Sequence, residues 1–164
     1  NVIGGGDWAD DRVIPDILRS FEKDKPVVIR NPKATRPWQH ALEPLSGYLI
    51  LAQKLYENQE DYAEGWNFGP NEKDVKPVGW ILDKMITKWP NSSWELDQNS
   101  NPHEAGFLKL DISKAESKLG WKPVWELSQA LDKIIDWHKA WLNKEDMQAV
   151  CLAEIEEYTR DMNK

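Results

Sequence analysis

Cysteine is almost absent from this chain of 164 residues, and its scarcity excludes several kinds of chemistry. The one cysteine, Cys151, has no second thiol with which to form an internal disulfide. No group of cysteine and histidine residues has the spacing of a zinc site or of a redox dithiol. Metal and thiol-redox chemistry are therefore not expected.

Long apolar runs and basic stripes are also missing. No stretch approaches roughly 18 uninterrupted apolar residues, and the first residues lack the basic and apolar regions of a signal peptide. The 28 acidic residues outnumber the 21 basic ones, which are spread along the chain, and the net charge is −7. These features predict a cytoplasmic protein that binds neither a membrane nor nucleic acid.

Two catalytic motifs are absent as well. A lysine four residues after a tyrosine lowers the pKa of the phenol for proton transfer, and no tyrosine in this chain has one. The residues at that spacing are Ala52, Glu60, Trp66 and Met162, which follow Tyr48, Tyr56, Tyr62 and Tyr158. The glycines at 4–6 do not form the G-x-G-x-x-G fingerprint of dinucleotide binding. The chain alone is therefore not expected to catalyse that chemistry.

The stretch from Pro26 to Ala52 is the strongest candidate for a binding site. An apolar strand over 26–29 precedes a turn that carries Arg30 and Arg36, with Pro37 directly after the second arginine. Arginine offers paired donors in one plane, which suits a diphosphate or a carboxylate. We interpret the stretch as an anion-binding turn; the alternative is that both arginines are solvated surface residues. His40 and His103, in polar turns, are further candidates for ligand contact.

Hydrophobic periodicity predicts helices interspersed with short strands, and hence an α/β fold in a single domain over residues 1–164. The helices are predicted at 14–22, from 43 onwards, 75–89, 113–119, 130–142 and 146–162. The strands are predicted at 1–3, 26–29, 66–68, 94–96 and 107–110. Ten tryptophans exceed what a chain of this size needs, so some of them are expected to face a missing partner surface. The chain begins within a strand-to-loop pattern and is expected to be a fragment.

Six segments together resemble one family of enzymes. They are N-V-I-G-G-G-D-W (1–8), R-V-I-P-D (12–16), I-R-N-P with R-P-W-Q-H (29–40), L-E-P-L-S-G-Y (42–48), W-N-F-G-P (66–70) and L-G-W-K-P (119–123). In this order they resemble the CDP-glucose 4,6-dehydratase family, a branch of the extended short-chain dehydrogenase/reductase family of nucleotide-sugar enzymes. The resemblance extends to about Leu142.

The resemblance implies a fold and a function. The chain corresponds to the C-terminal substrate-binding lobe of an extended short-chain dehydrogenase/reductase, and the Rossmann NAD-binding lobe is absent. The implied parent is a lyase that removes water from CDP-D-glucose to give CDP-4-dehydro-6-deoxy-D-glucose in deoxysugar biosynthesis. NAD would be bound mainly by the missing lobe, and the full-length enzyme is expected to be a homo-oligomer.

The resemblance also implies substrate-binding residues. Arg36 matches the arginine that holds the diphosphate, and Asn1 would contact the same group. The nucleotide would lie along Arg12 and Val13. Further contacts to the base, ribose and phosphates are implied for Arg30, Asn71 and His103. None of these residues is expected to be catalytic or to bind a metal.

Two alternatives remain open from the sequence. The chain could belong to a related epimerase or dehydratase that uses another nucleotide. It could also be a non-catalytic interaction module whose tryptophan-rich faces pack on a partner protein, because exposed apolar surface of sufficient area marks an interface.

Overall fold

The computed structural model describes residues 1–58, 60–99 and 106–164 of the chain. Six short strands and six α-helices occur in these residues. The strands are β1 (Val2–Ile3), β2 (Val27–Ile29), β3 (Thr35–Pro37), β4 (Gln39–His40), β5 (Val75–Pro77) and β6 (Trp94–Leu96). The helices are α1 (Val13–Glu22), α2 (Leu42–Asn58), α3 (Val78–Ile86), α4 (Ser113–Leu119), α5 (Leu127–Leu142) and α6 (Met147–Met162). The predicted α/β fold of several helices with short strands is confirmed.

The strands form three pairs rather than one sheet. β1 pairs with β4 in parallel, β2 pairs with β6 in parallel, and β3 pairs with β5 in antiparallel orientation. In the antiparallel pair Arg36 lies opposite Lys76. Arg36 is therefore part of a strand, and its predicted position in a turn is wrong.

Helices α1, α3 and α5 supply most of the larger apolar core. α1 covers the helix predicted at 14–22, and its apolar residues at helical spacing, Ile14, Ile17, Leu18 and Phe21, are all buried. They pack together with buried side chains of α3 and α5 and with Val27 and Ile29 of β2. A second, smaller cluster surrounds α4 and consists of Phe68, Ile112, Ala115, Leu119 and Trp121. Whether residues 1–164 form one domain stays a prediction.

A buried carboxylate links α2 to α6. Glu43 is fully buried, and its Oε1 accepts a hydrogen bond from the Trp125 backbone N–H at 2.7 Å. Its Oε2 accepts from the Val124 backbone N–H at 3.0 Å and from the Tyr158 hydroxyl at 2.7 Å. Burial raises the pKa of Glu43 above its ordinary value of 4.5 and outweighs these hydrogen bonds. Because a buried carboxylate is costly without partners, Glu43 requires that α6 and the 124–125 segment stay in place.

Tyr158 is the residue that carries α6 into this network. Its side chain is buried, and its hydroxyl oxygen also lies 3.1 Å from Ser46 Oγ. The Trp121 indole N–H donates to the same Ser46 oxygen at 2.9 Å. The Trp125 indole N–H donates to Asp161 of α6 at 3.0 Å. The predicted helix at 146–162 is confirmed, and its weak amphipathicity reflects attachment through polar groups.

Three predicted elements differ from the structure. The helix predicted at 75–89 is β5 followed by the shorter α3, because a residue before a proline disfavours helical backbone and Lys76 precedes Pro77. Residues 66–68 do not form a strand; the Trp66 indole instead donates to the Tyr62 carbonyl at 3.0 Å. The strand predicted at 107–110 is reduced to one bridge between Phe107 and Thr35.

No helix in the described ranges combines the length and the apolarity needed to cross a membrane.

We expect Tyr158→Phe to destabilise the chain because it removes the hydroxyl donor to Glu43 while keeping the aromatic ring. The free energy of unfolding, measured by urea denaturation, should fall by about 1 to 3 kcal/mol. Tyr56→Phe is the matched control, because Tyr56 is 87% exposed on α2. Equal stability of the two variants would contradict the role given to the Tyr158 hydroxyl.

The raised pKa of Glu43 predicts how the free energy of unfolding depends on pH. A carboxyl whose pKa is higher in the folded state favours folding in its protonated form, so its contribution is largest below pH 4.5 and is lost as the pH rises through the raised pKa. Glutamine does not titrate, so the destabilisation caused by Glu43→Gln should shrink as the pH rises from 4 to 7. Urea denaturation of both proteins across this range measures the difference, and a gap that widens with pH would refute the raised pKa.

Candidate functional site

A cavity of about 430 Å³ lies between β1 and the start of α1. Its wall is formed by residues 1–3, by residues 11–15, by Asp7 and by Trp38. Three residues of the predicted site, Asn1, Arg12 and Val13, therefore meet at one cavity. The volume lies within the range of ligand pockets.

Strand pairing holds the Asn1 side of the cavity. β1 pairs with β4 so that Val2 lies opposite Gln39, and the Gln39 backbone N–H donates to the Asn1 carbonyl at 3.0 Å. Trp38, the residue before β4, is buried, and its indole N–H donates to the Lys76 carbonyl at 2.9 Å. The tryptophan thus forms a fixed apolar wall, which the sequence analysis did not predict.

Arg19 of α1 holds the loop on the opposite side. Its guanidinium donates to the backbone carbonyls of Trp8 at 3.1 Å and Ala9 at 3.2 Å, and it forms a hydrogen-bonded ion pair with Asp16. The loop ends at Asp11, whose φ of 58° lies in the left-handed region that aspartate tolerates better than most residues. Through these contacts the helix fixes the loop that leads into its own first residues.

The charges that line the cavity are mixed. Arg12 Nη1 lies 3.3 Å from Asp7 Oδ2, and the other Asp7 oxygen accepts from the Ala9 backbone N–H at 3.0 Å. Asp11 adds a second carboxylate at the cavity. Asp11 lies directly before the N-terminus of α1, where negative charge is favourable, yet α1 has no side-chain cap and Asp11 lines the cavity.

Arg36 lies beside Asn1. It is half-buried on β3, and its guanidinium donates to the Thr35 carbonyl at 2.9 Å. The main-chain nitrogen of Asn1 donates a hydrogen bond to the carbonyl of Pro37, the residue after Arg36. Arg36 therefore precedes the strand residue that contacts Asn1, although Arg36 is not among the lining residues of the cavity in the described part of the chain.

The structure separates the remaining predicted residues. Arg30 is exposed directly after β2. Asn71 lines a different cavity of about 400 Å³, together with Glu72, Lys109 and Asp111. His103 lies outside the described residues. The predicted set is thus distributed over more than one surface, with only Asn1, Arg12 and Val13 at one cavity and Arg36 next to it.

His40 is not a surface ligand in this structure. It is buried at the end of β4, where its Nδ1 accepts from the Leu42 backbone N–H at 3.3 Å and its Nε2 lies 3.2 Å from Glu154 of α6. The prediction of a polar turn with a ligand-contacting histidine is therefore wrong at this position. The sequence pattern did not indicate a strand here because β4 has only two residues, which is too short to show the alternation of a strand.

The glycine loop at 4–6 does not have the environment of a dinucleotide cradle. A Cβ atom on Gly5 would lie 2.2 Å from Cγ of Trp137, and the ring also packs closely against Gly6, whose φ is +76°. The glycines are thus required by close contact with an indole of α5, not by a cofactor phosphate. The 4–6 loop therefore does not fit the phosphates of a dinucleotide.

Within the described residues no group of three or more histidine, cysteine, aspartate or glutamate side chains is arranged to hold a metal ion.

Solved structures share the fold of this chain. UDP-glucuronic acid 4-epimerase from Bacillus cereus, solved with UDP-glucuronic acid and NAD, matches 86% of this chain with a TM-score of 0.70 and 22% identity. dTDP-glucose 4,6-dehydratase from Bacillus anthracis, solved with NAD, matches 85% of it with a TM-score of 0.65 and 14% identity. The matches cover 43% and 42% of those two proteins. At these identities the likeness concerns the fold.

Sequence comparison finds a relative that is more similar in sequence than these two solved structures. CDP-glucose 4,6-dehydratase of Salmonella typhimurium strain LT2 is 57% identical over 159 residues, which is 96% of this chain and 44% of the relative. UDP-glucuronic acid decarboxylase 1 of Arabidopsis thaliana is 25% identical over 142 residues, which is 84% of this chain and 30% of that relative. No family model matches the chain. The chain spans less than half the length of these relatives, and its predicted resemblance to CDP-glucose 4,6-dehydratase is confirmed.

We expect Gly5→Ala to lower the free energy of unfolding, because the new methyl group would overlap the Trp137 ring. Overpacking of this kind costs about 1 to 3 kcal/mol, measurable by urea denaturation. Gly65→Ala is the control, since a Cβ at that position would meet nothing within 4 Å. A Gly5→Ala protein as stable as the Gly65→Ala protein would show that the loop does not depend on close packing with Trp137.

Proposed function

We propose that this chain is the C-terminal, nucleotide-sugar-binding portion of a CDP-glucose 4,6-dehydratase. The observation that carries the proposal is 57% identity over 96% of the chain to an enzyme of that name. The cavity shared by Asn1, Arg12 and Val13, with Arg36 beside it, supports a binding role. The parent is proposed to be a cytoplasmic homo-oligomer that converts CDP-D-glucose into CDP-4-dehydro-6-deoxy-D-glucose.

The exposed surface supports the existence of a further portion. Parallel strand pairs are normally covered on both faces, yet Val2 of the β1–β4 pair is 51% exposed. The neighbouring helix α2 exposes Leu45, Tyr48 and Leu49, the last of them to 73%. Apolar surface of this kind is suited to packing against the lobe that would carry the catalytic tyrosine and lysine and most of the NAD site. This surface includes one exposed aromatic residue, Tyr48, and it needs no separate role as an interaction module.

The residues of this chain would bind and orient the substrate. Arg36, together with Asn1, would hold the diphosphate, because a guanidinium provides two donors in the plane of a phosphate. Arg12 and Val13 would lie along the nucleotide. Arg30, Asn71 and His103 are proposed as outer contacts to the base, ribose and phosphates. Contacts remote from the reacting carbons contribute to catalysis by fixing the sugar in a reactive position.

Another nucleotide-sugar enzyme is the second candidate. The observation behind it is the 25% identity over 84% of this chain to UDP-glucuronic acid decarboxylase 1, an enzyme named for a uridine sugar. The higher sequence identity to CDP-glucose 4,6-dehydratase supports the first candidate instead. Turnover assays of the parent protein with CDP-glucose, UDP-glucose and dTDP-glucose distinguish the two.

The isolated chain is expected to be inactive toward CDP-glucose with added NAD, because it has no Tyr-x-x-x-Lys pair. The parent protein should release the 4-dehydro-6-deoxy product, detected by chromatography of the nucleotide sugars. Turnover by the isolated chain would refute the proposal that the catalytic residues lie in another portion of the parent protein. A parent that turns over only a uridine or thymidine sugar would refute the CDP assignment.

We expect Arg36→Ala in the parent protein to weaken CDP-glucose binding by about 2 to 3 kcal/mol, because a charge-assisted hydrogen bond to the diphosphate is lost. Calorimetric titration measures the change. Arg160→Ala, which removes an exposed arginine in the last turn of α6, should leave the affinity unaltered. Arg36→Lys should restore only part of the affinity, since lysine lacks the planar fork. If Arg36→Ala binds CDP-glucose as tightly as the unaltered protein, Arg36 does not bind the diphosphate.

A further inference from the structure

The cavity at the start of α1 is poorly suited to a diphosphate. Two of its lining residues carry carboxylates, Asp7 and Asp11, and one carries a guanidinium, Arg12. Arg12 is already paired with Asp7. A dianionic group inside this cavity would face an excess of negative charge. The cavity therefore favours a neutral group with polar edges, and the diphosphate is better placed outside it, next to Arg36.

Asp11 offers a carboxylate acceptor at this cavity. The Asp7 carboxylate is occupied by Arg12 and by the Ala9 backbone N–H. The Asp11 side chain, by contrast, accepts no hydrogen bond from any described residue, and its left-handed backbone holds the residue at the edge of the cavity. An ionised carboxylate accepts hydrogen bonds only, so it selects a ligand group that donates.

The start of α1 and Trp38 also line the cavity. Val13 and Ile14 are the first two residues of α1, and backbone N–H groups in the first turn of a helix have no partner within the helix. Pro15 follows with no N–H at all. Trp38, which is buried, is also among the lining residues. The cavity thus combines the N-terminus of α1, carboxylate acceptors and a buried aromatic residue.

Among the pyrimidines, cytosine matches this pattern where the carboxylate faces position 4 of the ring. Cytosine presents an exocyclic amine that donates, next to a ring nitrogen and a carbonyl that accept. Uracil and thymine present a carbonyl in place of the amine and an N–H in place of the ring acceptor. A carboxylate that faces position 4 accepts from the cytosine amine, whereas at that position it would repel the carbonyl of uracil or thymine.

We propose that Asp11 is a specificity-determining residue whose carboxylate accepts a hydrogen bond from the exocyclic amine of cytosine. In this arrangement the base occupies the cavity between β1 and α1, and the diphosphate extends toward Asn1 and Arg36. The inference rests on the proposed function, because it concerns the nucleotide that the same site would bind.

Calorimetric titration of the parent protein with CDP, UDP and dTDP tests the assignment. The unaltered protein should prefer CDP. Asp11→Asn should reduce the ratio of CDP to UDP affinity by about tenfold or more, because an amide can donate to the uracil carbonyl as well as accept from the cytosine amine. Asparagine also tolerates left-handed backbone, so the loop should keep its conformation.

Asp10→Asn is the matched control. Asp10 is adjacent in sequence but 95% exposed, and its carboxylate lies 3.5 Å from Arg19. Its removal should leave the ratio unaltered. An Asp11→Asn protein that retains the full preference for CDP, or that weakens CDP and UDP equally, would overturn the assignment while leaving the proposed function intact. A parent that binds none of the three nucleotides would overturn both.

Discussion

The fold depends most clearly on the buried carboxylate of Glu43. A charged group without access to water is tolerated only where donors surround it, and here two backbone amides and a tyrosine hydroxyl converge on its two oxygens. These donors come from the 124–125 segment and from α6, which are distant from Glu43 in the sequence. One residue at the start of α2 therefore determines how two later parts of the chain are placed relative to the β1–β4 pair.

Helix positions were largely predictable, because an amphipathic stripe is a local property of the sequence. The buried apolar residues of α1 show this most clearly, and α4 covers the predicted range 113–119, with Gly120 in left-handed backbone directly after it. Strands were less predictable, because two or three residues carry almost no periodicity and their pairing is decided by distant partners. The pairing of Arg36 with Lys76 is an example that no local pattern indicated.

The candidate site was predictable only in part. The resemblance brought Asn1, Arg12 and Val13 to attention, and all three line one cavity. Asp7, Asp11 and Trp38 were not identified as site residues, because each has an ordinary local explanation in the sequence and only the three-dimensional arrangement brings it to the cavity. His40 shows the opposite error: a histidine in polar sequence is buried against α6. Charge balance within a cavity is likewise a property that no linear motif reveals.

The contact between Gly5 and Trp137 has an evolutionary consequence. Because the indole occupies the space where a side chain at position 5 would lie, the two positions share one volume. A homologue with a larger residue at position 5 should carry a smaller one at position 137, and the two should vary together across the lineage. The residue allowed at position 5 would then depend on the residue that α5 carries at position 137, more than a hundred residues away.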